Sequence, residues 1–402
     1  MTDKTATSKI KDFFALERNI VVLSISIFIL GLGENLWSKF LPKYLQFMGA
    51  TTLLIGVFGA LQEIIETAYQ YPGGRIADYI GRKSSLVLCS LIALLGYIIF
   101  LLAPSWQFLF LGLFFIMAIS LSQPAIFALI GDSLPRKKRA MGFSVQSILK
   151  RVPLVLGPPV GGWLIAGRGI GQGMRIALAI TVAFAILATI IQNRYYLETY
   201  RGKEEGLRRR SFLQGLKELH PSLRSLLISD CVIRFADRLT KMFVIFHVTE
   251  IVGASMLQYG LLVAVQMSVS ISSYLPAARL SDRGRRTPFV GVTFLALTLF
   301  PLILFFSRTF LWLLVAFIVL GFRETGEPPR KAMIVDLAPK EKRGESVGIY
   351  YTLRGLAVMP APILGGILWG VNPQALFLLA TVIGVVAVLL LLTTVREAHK
   401  CP

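Results

Sequence analysis

Long apolar runs separated by short polar connections dominate the chain. A helix that crosses the hydrocarbon core needs about 20 mostly apolar residues at a rise of about 1.5 Å each. Such runs occur near 19–45, 51–74, 84–103, 106–131, 142–166, 174–193, 222–247, 254–279, 287–306, 309–334, 346–369 and 374–394. Twelve runs predict an all-α integral membrane protein of twelve transmembrane helices. The only long hydrophilic connection, 194–221, falls at the midpoint of the chain. The expected organisation is therefore an N-terminal six-helix bundle over 1–193, a cytoplasmic linker over 194–221 and a C-terminal six-helix bundle over 222–402. Met1 to Arg18 is polar and mixed in charge, and no small-residue cleavage site follows the first run, so that run reads as a span rather than a signal peptide.

The two halves repeat each other at an offset of 204 residues. Residues 49–62 (GATTLLIGVFGALQ) and 253–266 (GASMLQYGLLVAVQ) share six identities in fourteen. Pro72, Arg75 and Asp78 match Pro276, Arg279 and Asp282. Asp132, Pro135, Lys138, Arg139, Pro158, Gly161 and Gly162 match Asp336, Pro339, Lys342, Arg343, Pro362, Gly365 and Gly366. Apolar composition alone does not place Pro, Arg and Asp at one common offset. An internal repeat of six helices is the mark of many secondary transporters, whose substrate site is expected near the membrane midplane at the repeat interface.

Composition adds a large positive charge. The 402 residues hold 42 Lys and Arg against 22 Asp and Glu, a net charge of +20 with a pI of about 10.1. Of the basic residues, 28 fall on one set of alternate loops, the helix ends that adjoin them (Arg224 and Arg279) and both ends of the chain, and 5 (Lys39, Lys43, Arg168, Arg175, Arg308) fall on the other side. The excess puts both termini and the central loop in the cytoplasm of a plasma (inner) membrane protein. A nucleic-acid binder would gather its charge on one exposed face, so none is expected as a partner. The three cysteines (Cys89, Cys231, Cys401) and three histidines (His220, His247, His399) are scattered without disulfide or metal-ligand spacing. No HExxH pair and no Gly-x-Ser-x-Gly elbow appears, which excludes the familiar hydrolase chemistries.

The connection between the second and third runs reads Gly74-Arg75-Ile76-Ala77-Asp78-Tyr79-Ile80-Gly81-Arg82-Lys83. It resembles the cytoplasmic signature loop of the major facilitator superfamily, with Tyr79 where a basic residue is usual. A second copy, shorter by one residue, carries Asp282, Arg283, Arg285 and Arg286. The resemblance implies a major facilitator fold and a gating latch formed by Gly74, Asp78, Gly81, Arg82 and Lys83 with their second copy. A positive-inside turn with no gating role accounts for the same residues. The fifth run ends in Gly157-Pro158-Pro159-Val160-Gly161-Gly162, similar to the tail of a motif of proton-coupled exporters, although Pro153 and Ser144 stand where preceding glycines belong. Close packing through small residues explains these glycines equally well. The Arg that drug exporters of the family carry midway along the fourth helix is absent, and Arg323 is its nearest analogue.

Nine basic residues remain inside the runs, where a charge costs at least about 2.5–3.5 kcal/mol and needs a partner or an aqueous cavity. Lys150 lies 11 residues past Arg139, about 16 Å along a helix, and its repeat-mate Arg354 lies 11 residues past Arg343. Neither helix offers an acidic residue within four positions, so each needs a carboxylate from elsewhere or an anionic substrate. Arg151 points about 100° away from Lys150. Glu63 and Glu66 lack a local cation and, with Glu34 of the first run, are candidates to titrate. Asp230, Arg234, Asp237, Arg238 and Lys241 line one stripe with 230/234 and 237/241 as i,i+4 pairs. Arg323, Glu324, Glu327, Arg330 and Lys331 surround Pro328-Pro329, which are expected to break the helix and free carbonyls toward a cavity.

The pattern reads as a proton-coupled secondary transporter that moves a small anionic organic solute by alternating access, leaning to export. Lys150, Arg354, Arg234, Asp237 and Glu327 are expected to bind the substrate, and Glu34, Glu63 and Glu66 to carry protons. A multidrug or cation antiporter would use the three glutamates as binding anions instead, and a nutrient symporter or uniporter uses the same scaffold. No cofactor or metal is expected, the energy coming from the proton gradient; the partners are the solute, protons and the bilayer, and the carrier is a monomer.

Overall fold

The computed structural model describes residues 18–122, 126, 136–196, 221–283, 285–337 and 343–394. Among them every regular element is helical. We number the spans α1 (Arg18–Trp37 and Leu41–Phe47), α2 (Thr52–Ile80), α3 (Arg82–Leu102) and α4 (Trp106–Ile116, continued by a 3-10 turn Met117–Leu121). The helix Arg136–Tyr195 contains α5 and α6, parted at Gly169. Then follow α7 (Pro221–Lys241, Val244–Phe246 and a π-helical turn His247–Ile251), α8 (Met256–Arg283) and α9 (Thr287–Phe306). The last three are α10 (Phe310–Gly321, Phe322–Glu324 and Glu327–Leu337), α11 (Arg343–Val358 and Ala361–Val371) and α12 (Pro373–Thr394). Within the described residues, each of the twelve apolar runs falls on one of these helices. Six helices among the described residues are long and apolar enough to span on their own, and the two pieces of α1, bent by 43°, make a seventh. One of the six, Lys150–Tyr195, holds both α5 and α6; the remaining α2, α4, α7 and α10 carry charges or breaks within their apolar parts.

Helix ends depart from the sequence expectation. The 2–3 connection shrinks to Gly81 (φ +91°), because the helix of α2 continues through the polar residues up to Ile80. At about 1.5 Å per residue, its 29 residues run to about 43 Å, longer than a hydrocarbon core of about 30 Å. Hydropathy marks the embedded part of a helix rather than its length. The α5–α6 connection is likewise a single non-helical residue, Gly169 (φ +77°, ψ 165°), so that Arg168 and Arg175 lie on helices. Pro328 and Pro329 do not break α10. They open its last segment, where a missing N–H costs nothing, and the break lies upstream at Phe322–Gly326.

The sequence repeat reappears as repeated backbone devices. Gly49 and Gly253, 204 apart, both take positive φ (+92° and +77°) just before α2 and α8. The pauses at 38–40 in α1 and 242–243 in α7 stand at the same offset, as do the starts of α2 and α8 and of α4 and α10.

The chain groups into two compact units, residues 1–49 with 65–206 and residues 50–64 with 207–402. In the first, α5 lies on α1 through glycine: a Cβ on Gly157 would stand 2.5 Å from that of Asn35, and one on Gly161 would fall onto the Leu36 carbonyl oxygen. Thr181 of α6 donates to the Gly33 carbonyl at 2.8 Å, closing the same helix from its other side. In the second unit Gly365 of α11 meets the Leu239 carbonyl of α7 in the same way, and Gly366 meets the Thr52 carbonyl. Small residues thus bring backbones together where apolar solvent supplies no hydrophobic drive between helices. Large apolar side chains such as Leu91, Leu95, Leu111, Leu311, Leu389 and Leu392 stay exposed, as lipid-facing positions require.

Gly161→Ala and Gly365→Ala are expected to lower stability by about 1–3 kcal/mol through overpacking. Gly167→Ala, with open space around it, is expected to leave the melting temperature unchanged or slightly raised. Thermal unfolding of the three purified variants in detergent checks this.

Candidate functional site

Charged side chains gather in the interior of the second unit, and helix geometry explains why. On α7, Asp230, Arg234, Asp237, Arg238 and Lys241 recur every three or four residues, so they leave one side of the helix together. They face the broken α10, whose Gly321–Gly326 stretch presents Arg323 and then Glu327 and Arg330. The break is internally satisfied: the Thr293 hydroxyl of α9 donates to the Arg323 carbonyl at 3.0 Å and accepts from the Gly326 N–H at 2.8 Å. The freed backbone groups expected to face a cavity are therefore held by α9.

Four of these side chains close a ring. Arg330 reaches Asp230 at 2.5 Å and Glu327 at 2.7 Å, Arg234 pairs with Glu327, and Arg234 Nε returns to Asp230 at 3.5 Å. Asp230 is wholly buried and the Arg330 side chain is 3% exposed. Two carboxylates and two guanidiniums make the ring neutral, the condition under which ions tolerate a low dielectric. α11 adds three groups to it. The Tyr350 hydroxyl donates to Asp230 Oδ2 at 2.9 Å. Arg354 approaches the same oxygen at 3.5 Å, and its guanidinium lies over the Tyr351 ring, 4.7 Å from the centroid. At 26% exposed, Arg354 is the most accessible guanidinium of the group.

A second cluster continues along α7. Arg323 makes two bonds of 3.2 Å to Asp237, one to each oxygen. Arg238 bridges Asp237 at 3.1 Å and Glu63 at 2.7 Å, and Lys241 reaches the same Glu63 oxygen at 3.3 Å. Of the two i,i+4 pairs expected on α7, 230/234 forms and 237/241 does not, because Asp237 and Lys241 each find a partner on another helix. Among the described ion pairs of this interior, five carboxylates (Glu63, Asp230, Asp237, Glu324, Glu327) meet six cations (Arg234, Arg238, Lys241, Arg323, Arg330, Arg354).

The first unit holds a simpler arrangement. Tyr97 of α3 donates to Glu34 of α1 at 3.1 Å, with Trp37 packed edge-on against Tyr97 and Phe100. The exposed Lys150 of α5 lies within electrostatic range of Glu34. Glu66 is exposed, and among the described residues it makes no ion pair.

The latch residues divide. The surroundings of Gly74 and the side chains of Asp78, Arg82, Asp282 and Arg283 lie outside the described residues, and so do residues 132–135 and the side chains of 136–139, residues 197–220 of the linker and both chain ends. Gly81 caps α3, Lys83 is half-buried and Arg285 is exposed. Arg286 pairs with Asp336 at 2.5 Å, joining the start of α9 to the end of α10. Their repeat-mates are Arg82 and Asp132.

Of the five residues expected to bind the substrate, Arg354, Arg234 and Glu327 lie around Asp230, Asp237 lies in the second cluster with Arg323 and Arg238, and Lys150 lies in the first unit. Tyr350 and Tyr351 were not expected as companions of Arg354, although the four- and three-residue spacings put both on its helix face. Tyr97 carried no signal in the sequence.

Four likenesses bear on this architecture. The family model of the Major Facilitator Superfamily matches residues 23–236 and 226–401. An uncharacterised MFS-type transporter of Methanocaldococcus jannaschii, MJ1317, is 23% identical over 390 residues, covering 94% of this chain and 95% of that protein. The quinolone resistance protein NorA of Staphylococcus aureus is 31% identical over 156 residues, 37% of this chain and 39% of its own. Among solved structures, a mutant of the nucleoside transporter NupG superposes with a TM-score of 0.76 at 14% identity, over 94% of this chain and all of that one. Twelve helices, a duplicated set of breaks and the family match over nearly the whole chain agree: the protein belongs to the Major Facilitator Superfamily of membrane transporters.

Proposed function

We propose that this secondary transporter moves a small anionic organic solute, coupled to protons and in the direction of export. The observation that carries the reading is the additional cation. Arg330 and Arg234 are neutralised within a closed ring, whereas Arg354 touches that ring at one oxygen and is the most exposed of its guanidiniums. A surplus charge in a low dielectric calls for an anion, and a guanidinium lying on an aromatic ring offers its N–H edge for one. Arg234, Asp237 and Glu327 then orient the site, and Lys150, the repeat-mate of Arg354, is assigned to the substrate on the sequence repeat. Glu34 is the foremost proton carrier, because a neutral hydroxyl is its hydrogen-bond donor. Glu66 is a second candidate, whereas Glu63 already serves two cations of α7.

Export is supported by the Gly157–Gly162 tail and by the likeness to NorA. The excess of basic residues on one set of loops supports cytoplasmic termini in an inner membrane, and the 194–221 segment is assigned as the linker between two six-helix bundles. The signature residues Gly74, Asp78, Gly81, Arg82 and Lys83, with Asp282, Arg283, Arg285 and Arg286, are assigned to gating. The NorA likeness also favours a second reading, efflux of lipophilic cations with Glu34, Glu63 and Glu66 as the anions.

Proteoliposomes containing a pH dye, challenged with small organic anions and then with ethidium, separate the two. An anion-driven proton flux that Arg354→Ala abolishes is expected; flux with ethidium alone supports the second reading. Arg354→Ala should fold normally, whereas Arg330→Ala leaves two buried carboxylates short of a partner and should cost about 3–5 kcal/mol, seen as a drop in melting temperature. Glu34→Gln is expected to keep solute binding while the proton flux disappears, and an unchanged flux reassigns the proton to another carboxylate.

A further inference from the structure

Asp230 Oδ2 is crowded while Oδ1 is not. Oδ2 receives Arg330 at 2.5 Å and the Tyr350 hydroxyl at 2.9 Å, with Arg354 at 3.5 Å as the third and most distant group. Oδ1 is buried and accepts no hydrogen bond among the described residues; Arg234 Nε stands 3.5 Å from it. Taking Arg354 away leaves the ring neutral and Asp230 still paired with Arg330 and Tyr350. Taking away Arg330 does neither. Arg354 is also steadied from the side by Tyr351, so its guanidinium can change partners without leaving its place. One nitrogen faces Asp230, and a guanidinium has five N–H donors, enough for a bidentate grip on a second oxyanion.

We infer that Asp230 is an internal ligand of Arg354 that the substrate's oxyanion displaces, and that Tyr350 is a positioning residue that weakens this internal hold by donating to the same Asp230 oxygen. The inference rests on the reading of Arg354 as the substrate's cation. The ligand chemistry is a carboxylate or phosphate oxyanion small enough to share the guanidinium edge with Asp230. Exchange of one anion for another on a fixed cation spares the carrier an exposed unpaired charge when it is empty. It also makes Asp230 the residue that sets how tightly the solute is held, since any anion must outcompete it.

The test is calorimetric titration of the full-length purified carrier with acetate, succinate, citrate and inorganic phosphate. Wild-type affinity for at least one of these, reduced about tenfold or more in Arg354→Ala, supports the reading beneath the inference; no affinity, or affinity indifferent to Arg354, overturns that reading. Given that control, Asp230→Asn is expected to tighten the anion about three- to tenfold, and Tyr350→Phe to weaken it about threefold, the scale of one hydrogen bond. Tyr350→Phe should add nothing in the Asp230→Asn background. A purely structural role would weaken binding in both single variants, so loss of affinity in Asp230→Asn overturns the inference, as does a Tyr350→Phe affinity within twofold of wild type. Where Asp230→Asn fails to fold, Tyr350→Phe is repeated in the Arg354→Ala background: a loss of affinity that disappears there supports the inference, and one that persists overturns it. Selectivity for phosphate over the three carboxylates, or the reverse, identifies which oxyanion the site takes.

Discussion

A charge inside a membrane protein survives only with its counter-charge beside it, and the second unit is arranged around that constraint. Asp230 has no solvent contact, so it depends on Arg330, Arg234, Arg354 and Tyr350 from three helices. Their convergence dictates local geometry. α10 pauses at Phe322–Glu324 so that Arg323 and Arg330 both reach α7, and Thr293 of α9 holds the backbone groups that the pause releases. α11 comes close enough to α7 for Tyr350 and Arg354 to reach Asp230, and Gly365 permits that approach by leaving room for the Leu239 carbonyl. Each feature would be costly by itself, and together they satisfy one another.

The same logic separates structural from functional charge. A neutral ring of two carboxylates and two guanidiniums holds α7 against α10 and asks for nothing further. Arg354 stands outside that closure, steadied by an aromatic face and only loosely engaged by Asp230. The distinction comes from connectivity and exposure rather than from the presence of ions, because the interior contains many. In the first unit Glu34 accepts from the Tyr97 hydroxyl, with Lys150 in electrostatic range.

Much of this was legible in the sequence. Apolar runs located every span, since a helix in lipid must satisfy its own backbone and advertise the fact in composition. The 204-residue repeat anticipated the paired glycines Gly49 and Gly253 and the paired breaks in α1 and α7. Helix ends were misplaced wherever a helix outran its apolar part, as α2 does up to Ile80, or where one glycine replaced an expected loop, as Gly169 does. Pairing was the hardest to read. The stripe on α7 suggested pairs within one helix, yet Asp237 and Lys241 pair across helices with Arg323 and Glu63, a choice made by tertiary packing. Tyr350 and Tyr351 carry no signal of their own until α11 sets them beside Asp230 and Arg354.

Arg354, which the ring leaves over among the described residues, is proposed as the group by which the carrier would select an anion. The most direct measurement compares binding of succinate with binding of its uncharged diamide, nearly equal in shape, to the wild-type carrier and to Arg354→Gln. The account predicts that wild type prefers succinate by at least about tenfold, the scale of a charge-assisted hydrogen bond, and that Arg354→Gln erases the preference. Equal affinity for the two compounds in wild type, or a preference that survives in Arg354→Gln, would contradict it.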